Sequence, residues 1–156
     1  MQTKAGQHIL IRRMVEQDIA SVYQIEQDTA SDPWDEKIFL SCAKIYDAFV
    51  AILADNTVIG FGIIVVYDNI QEAHIINLAV DINWQNQGIG SLLLQHLMNN
   101  KVNKIFLEVN VNNLAAISLY EKFHFKRVGI RKNYYNTKDG KEDALVLLHV
   151  PALQAK

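Results

Sequence analysis

The stretch Asn77-Leu78-Ala79-Val80-Asp81-Ile82-Asn83-Trp84-Gln85-Asn86-Gln87-Gly88-Ile89-Gly90-Ser91-Leu92-Leu93-Leu94 limits what this chain can fold into more than any other. It starts as an apolar strand end, crosses a polar loop with two glycines one residue apart, and opens into a Leu-rich helix. The next apolar segment, Lys104 to Val109, reads as a strand, so the two strands flanking the helix form a locally parallel pair. Glycines let the backbone approach whatever occupies the loop, and a helix N-terminus presents N–H groups at the positive end of its dipole. That combination makes an anion site best suited to phosphate.

The remaining segments build around this unit. His8 to Arg13 reads as a first strand, and Val15 to Asp28 carries Ile19, Val22, Tyr23 and Ile25 at helical period. Asp32-Pro33-Trp34-Asp35 is a turn, with Asp35 placed to cap a second helix bearing Ile38, Phe39 and Cys42. Phe49 to Ala54 and Val58 to Tyr67 read as strands joined at Asp55-Asn56-Thr57. His74 to Val80 is a strand, and the helix after the glycines runs to about Asn99. Asn113 to Phe123 is a helix, and Lys126 to Tyr134 and Glu142 to His149 are strands turning at Asp139-Gly140. The order β-α-α-β-β-β-α-β-α-β-β predicts an α/β fold with a mixed, mostly antiparallel sheet and helices on both faces. No repeat or linker divides the 156 residues, so one domain over residues 1–156 is expected.

A net charge of −2 offers no broad basic surface for nucleic acid. The longest apolar run, Val58 to Tyr67, is too short to span a bilayer. The single cysteine, Cys42, and the absence of a secretory signal fit a reducing cytosol, so a soluble cytoplasmic monomer with no membrane partner is expected. The five histidines, His8, His74, His96, His124 and His149, lack metal-ligand spacing, and no metal is expected.

Two phosphate ligands compete for the loop. Gly88 and Gly90 match the start of the dinucleotide fingerprint G-x-G-x-x-G, and Glu108 follows at the distance of the ribose-binding acid. The third position, however, is Leu93. The glycines also come well after the strand ends at Val80, and the chain opens on antiparallel hairpins. No G-x-x-x-x-G-K-S/T P-loop is present. The alternative spacing, Gln85-x-x-Gly88-x-Gly90 after Asn77-Leu78-Ala79-Val80, resembles the acetyl-CoA motif of the GCN5-related N-acetyltransferase (GNAT) family. The element order agrees with that family's fold across nearly the whole chain. The resemblance implies acetyl-CoA as co-substrate, with its pyrophosphate on the loop N–H groups of Gln85, Asn86, Gln87, Gly88, Ile89, Gly90 and Ser91. It also implies a pantetheine arm along the strand edge at Leu78, Ala79 and Val80, where that strand splays from its parallel partner.

Three further segments resemble the ribosomal-protein alanine N-acetyltransferase (RimI-type) branch of the family. They are Pro33-Trp34-Asp35-Glu36-Lys37-Ile38-Phe39, then Leu107-Glu108-Val109 followed by Asn113-x-x-Ala116-x-x-Leu119-Tyr120, and lastly Arg131-Lys132-Asn133-Tyr134-Tyr135 with Asp139-Gly140-Lys141-Glu142-Asp143-Ala144. The acceptor this implies is the N-terminal alanine of a ribosomal protein, the eighteenth of the small subunit. There are departures: Asn86 and Asn110 stand where the family often has Arg, and the segment from Gly90 to Glu108 is a few residues short.

The chemistry follows from the residue types. A free α-amine has a pKa of about 7.7–8.0 and needs only a modest base to become nucleophilic. The resemblance assigns that role to Glu108. A backbone N–H at the splayed strand, that of Val80, can stabilise the oxyanion. Asn113, Ala116, Tyr120 and Phe123 share one helix face, which lets Asn113 meet pantetheine and Tyr120 meet the sulfur as general acid. A phenol of pKa about 10 protonating a thiolate of about 8.5 is uphill by roughly 2 kcal/mol, so hydrogen bonding to the sulfur is an equal alternative. Each residue also has a plainer reading: Glu108 as a solvated charge, Tyr120 as a core-edge aromatic, Asn113 as an N-cap. Trp34, Tyr134 and Tyr135 read as substrate contacts or as packing aromatics. Lys126, Arg127, Arg131 and Lys132 read as a solvated strand and loop, with contact to the coenzyme or an acidic partner as the alternative. The rivals are the same fold acting on a lysine, an amino acid or a polyamine, and a non-catalytic acyl-CoA sensor.

Overall fold

A computed structural model describes residues 2–4 and 6–151. Seven strands form one sheet: β1 (Leu10–Arg13), β2 (Asp47–Ile52), β3 (Val58–Tyr67), β4 (Glu72–Val80), β5 (Lys104–Asn110), β6 (Lys126–Thr137) and β7 (Gly140–His149). Their order across the sheet is β1-β2-β3-β4-β5-β7-β6, and β4–β5 is the parallel pair. The four α-helices are α1 (Ile19–Thr29), α2 (Glu36–Ile45), α3 (Ile89–Met98) and α4 (Leu114–Lys122). The α/β order read from the sequence is the order observed. Boundaries shift by a few residues. β1 starts at Leu10 rather than His8, whose own contact is an isolated bridge to Gln2. A 3-10 turn at Glu16–Asp18 precedes α1.

The helices cover both faces. On one, Val22 and Ile25 of α1 and Phe39 and Cys42 of α2 pack on Val50, Phe61 and Ile63. Phe39 lies 5.2 Å from the Trp34 ring and 5.3 Å from that of Phe61, and it is fully buried. Asp35 caps α2 as expected, accepting the Ile38 N–H at 3.1 Å. On the other face α3 and α4 bury Leu94, Leu97, Ile117 and Tyr120 against Ile105, Leu107 and Leu147. Gly62 makes the close seat for α3, since a Cβ there would meet Leu97 Cδ1 at 2.8 Å. That contact explains a glycine inside an apolar strand.

Two of the sheet's irregularities bear on the site. The β3–β4 register passes from Ile63↔Asn77 to Ile64↔Ile75, leaving Ile76 as a bulged residue. Past that point β4 leaves β5: the parallel ladder ends at Ile75↔Leu107, while β5 stays paired with β7 to Asn110↔Ala144. The edge of β4 from Ile76 to Val80 is therefore open on the β5 side. The second irregularity lies in β6. Its register jumps from Arg131↔Ala144 to Tyr135↔Glu142, so Lys132, Asn133 and Tyr134 stand opposite Asp143 alone. Asn133 takes φ +54, and Asp143 accepts its N–H at 2.9 Å.

Candidate active site

The splay between β4 and β5 opens a cleft of about 710 Å³. Its floor is the free edge of β4. Asp81 N–H donates to Ile59 of β3, so by strand alternation the N–H groups of Leu78 and Val80 point the other way, into the gap. At one end stands the loop before α3. Asn86 (φ +64) and Gly88 (φ +88) both adopt left-handed backbone, which turns successive N–H groups toward a common point at the helix start. Asn tolerates that conformation better than most residues, which accounts for Asn86 where the family often has Arg. The Gln85 side chain donates to Val80 O at 3.0 Å and ties the loop to the end of β4.

Glu108 and Tyr120 meet in this cleft from opposite faces of the sheet. On β5, Leu107 and Val109 point to the α3/α4 face and Glu108 to the α1/α2 face, where its side chain is 15% exposed. Arg131 Nε lies 3.2 Å from Glu108 Oε2 and its guanidinium 5.4 Å from the Tyr134 ring. Arg131 keeps the exposure expected of a solvated strand residue, 55%, and its guanidinium also pairs with Glu108. Tyr120 projects from α4 and is nearly buried, with its ring against Phe125. Burial pushes its phenol well above the usual tyrosine range. Tyr135 is raised as well, first by burial and then by Tyr134, Glu108, Tyr120 and Asp32, which places these groups in one electrostatic neighbourhood.

Most sequence-predicted residues converge here. Leu78, Ala79, Val80, Gln85, Asn86, Gly88, Ile89, Gly90, Ser91, Asn113, Trp34 and Tyr135 line the cleft beside Glu108 and Tyr120. Gln87 and Tyr134 lie outside the lining; Gln87 O accepts the Lys4 N–H, and Tyr134 packs edge-on against Tyr135. Asn113 caps α4, accepting the Ala116 N–H at 3.2 Å, and lines the cleft too. Asn110 donates to Glu142 at 2.7 Å and to Ser31 at 3.3 Å, bracing the end of β5 where an Arg is frequent in the family. Asp32 accepts the Asn136 N–H and fastens the α1–α2 loop to β6.

One buried acid of the cleft escaped the sequence reading. Glu26 is 2% exposed and accepts from Trp34 N–H at 3.0 Å and from Asn77 Nδ2 at 3.2 Å. Its signal was present: Glu26 falls seven residues after Ile19 and four after Val22, on the apolar stripe of α1. Burial raises its carboxyl pKa against the lowering effect of those two donors. Among the described residues no group of His, Cys, Asp and Glu could hold a metal, and no helix is long and apolar enough to cross a membrane.

Comparison with known proteins fits this geometry. The sequence profile of the acetyltransferase (GNAT) family matches residues 19–125. The [ribosomal protein bS18]-alanine N-acetyltransferase of Escherichia coli K12 is 38% identical over 134 residues, covering 83% of this chain and 89% of that one. A putative enzyme of the same description from Bacillus subtilis is 34% identical over 154 residues, covering 94% and 96%. The crystal structure of the Escherichia coli enzyme superposes with a TM-score of 0.82 at 36% identity, covering 92% of this chain and 94% of that one. The chain belongs to the GNAT family of acetyl-CoA-dependent N-acetyltransferases. Within it, the similarity is to the bS18-alanine N-acetyltransferases.

Proposed function

We propose that the chain works as one catalytic domain that moves acetyl from acetyl-CoA to the α-amine of an N-terminal alanine, with the bS18-type ribosomal protein as acceptor. The observation that carries this reading is the meeting of Glu108 and Tyr120 in the one cleft that also holds the Asn86–Gly88 loop and the open edge of β4. The loop residues Gln85 to Ser91 hold the coenzyme diphosphate, and Leu78, Ala79, Val80 and Asn113 hold the pantetheine arm. Trp34 and Tyr135, with Tyr134 at the rim, flank the entering peptide. Glu26, Asp32 and Glu108 give that side a negative character that suits a cationic α-ammonium.

Glu108 takes the proton that the ammonium must lose, directly or through one water, and the amine nitrogen bonds to the thioester carbon. The oxyanion is stabilised by a β4 N–H, that of Val80. The C–S bond then breaks, and the Tyr120 hydroxyl donates a hydrogen bond to the departing sulfur. Because burial raises the Tyr120 pKa, the phenol stays protonated and serves as a hydrogen-bond donor, and the second proton that the attacking nitrogen sheds as the intermediate collapses ends on the thiolate. Arg131 holds one Glu108 oxygen and leaves the carboxylate aimed at the gap.

The test is steady-state kinetics of Glu108→Gln and Tyr120→Phe with a free-amine alanyl peptide. Near wild-type kcat in both sinks the assignment. Mass spectrometry of ribosomal proteins from a deletion strain tests the acceptor: unchanged N-terminal acetylation rules it out. We place the protein in the cytosol, where the buried Cys42 stays a free thiol, and as a monomer, for which light scattering must read one chain.

A further inference from the structure

Glu26 and Asn77 line the cleft, yet neither takes part in the bond-making steps above, to which Glu26 lends only its charge. A carboxylate this deeply buried persists only if its lone pairs are taken up, and two donors from different elements do so. Trp34 N–H reaches it from the α1–α2 loop at 3.0 Å, and Asn77 Nδ2 reaches both oxygens from β4 at 3.2 Å. A carboxylate can only accept here, so it fixes the sense of the Asn77 carboxamide: NH2 toward Glu26, oxygen away. That oxygen accepts the N–H of Leu78 at 2.9 Å. Leu78 N–H is one of the two that β4 directs into the splay. The bonds therefore run as a relay from the acceptor wall at Trp34, through Glu26 and Asn77, to the open strand edge on the donor side.

We propose that Glu26 and Asn77 are positioning residues that fix the α1–α2 loop against the free edge of β4 and so set the width of the acceptor half of the cleft. The assignment of acceptor and donor halves rests on the acetyltransferase reading; the relay itself rests on the hydrogen bonds alone. Glu26 makes no bond to Leu78, so any effect of Glu26 on the Leu78 amide must pass through the Asn77 carboxamide. The diphosphate loop at Gln85 to Ser91 lies outside the relay, so the coenzyme feels it only at the pantetheine contact of Leu78.

The experiment compares wild type with Glu26→Leu, Glu26→Gln, Asn77→Ala and the Glu26→Leu/Asn77→Ala pair. Amide hydrogen exchange is read at Trp34 and Leu78, with Val50 in the core of β2 reporting global stability. Calorimetry gives acetyl-CoA affinity, and steady-state kinetics gives KM and kcat for an alanyl peptide. In Glu26→Leu the Trp34 and Leu78 amides exchange about tenfold faster or more, beyond any change at Val50, because a charge-assisted bond is lost at one and a fixed acceptor at the other. Acetyl-CoA affinity stays within about twofold, while kcat/KM for the peptide falls about tenfold, with KM carrying much of the loss. Glu26→Gln keeps one acceptor oxygen and recovers part of it. The double variant is no worse than the poorer single, as members of one relay require. Unchanged Leu78 exchange in both Glu26 variants, a change matched at Val50, or additive losses overturn the proposal. Should Glu26→Leu fail to fold, Glu26→Gln and Asn77→Ala decide it by the same readings. If wild type acetylates no peptide, the acetyltransferase reading fails while the exchange result still decides the relay.

Discussion

Replacing Tyr120 by Phe separates two roles that a phenol beside a departing thiolate can play. As a full proton donor it would transfer uphill by roughly 2 kcal/mol even at its reference pKa. Burial raises the Tyr120 pKa further, so the cost in this site is larger still. As a hydrogen-bond donor to a developing anion it is worth about 1.5–3 kcal/mol, or about 10–100-fold in rate. Phe keeps the ring and its edge contact with Phe125, 5.8 Å between centroids, so the fold is retained. The expected outcome is a kcat loss of about 10–100-fold with acetyl-CoA KM within about twofold. The pH–rate profiles of the two proteins run parallel below about pH 9.5, since Tyr120 remains protonated throughout that range. Stopped-flow or thiol-release assays from pH 6.5 to 9.5 measure it. A loss under threefold refutes the contact with sulfur. A loss beyond about 1,000-fold, with an alkaline limb in wild type that the variant lacks, refutes the hydrogen-bond role in favour of proton transfer.

Glu108→Gln removes the base and leaves Arg131 without its anion, so kcat/KM for the peptide should fall about 100–10,000-fold and recover in part as pH rises through the amine's own pKa; a flat pH response argues against a base role. Gly88→Ala meets no atom within 4 Å but must hold φ +88, which costs roughly 1–2 kcal/mol; acetyl-CoA KM should rise while the peptide KM stays unchanged, and equal KM values would contradict the phosphate-loop assignment. Asp18 is 4% exposed and bonded twice by Arg12, at 2.7 and 3.0 Å. Burial alone would raise its carboxyl pKa, but the Arg12 hydrogen bond, the Val15 N–H and the Arg12 charge together lower it. Its stability contribution is thus present above about pH 4 and lost as pH falls through the depressed folded value. Asp18→Asn should cost about 2–3 kcal/mol at pH 7 by denaturant titration and flatten the acid limb; an unchanged acid limb contradicts the pairing.

The order of elements was legible because each carries its own period and stop signal. β3 was bounded correctly from Val58 to Tyr67 by its apolar run, and α2 by Asp35 as cap. The parallel β4–β5 pair followed from the strand–helix–strand order alone. The splay of β4 from β5 was implied by the family resemblance, but the bulges could not be read from the residues. The bulge at Ile76 lies inside an apolar strand whose alternation gives no warning, and β4 parts from β5 beyond it. The bulge at Lys132–Tyr134 is held by Asp143 from the adjacent strand, a side-chain bond across the hairpin that no local period announces. Arg131 has the exposure of a solvated charge and also pairs with Glu108 across β7, a contact the sequence does not display. Glu26 was missed for a different reason. Its stripe position was visible, but the donors that make a buried carboxylate tolerable sit at Trp34 and Asn77, far apart in sequence.

If this cleft acetylates a free N-terminal alanine, the position of the transferred acetyl group shows it. The most direct measurement incubates the protein with acetyl-CoA and two synthetic peptides, one with a free alanine α-amine and one N-terminally blocked but carrying a lysine. Fragmentation mass spectrometry then locates any acetyl group. One acetyl on the α-amine of the first peptide, and none on the second, is the predicted result. Acetyl on the lysine of the blocked peptide, or no transfer to either with coenzyme bound, would contradict it.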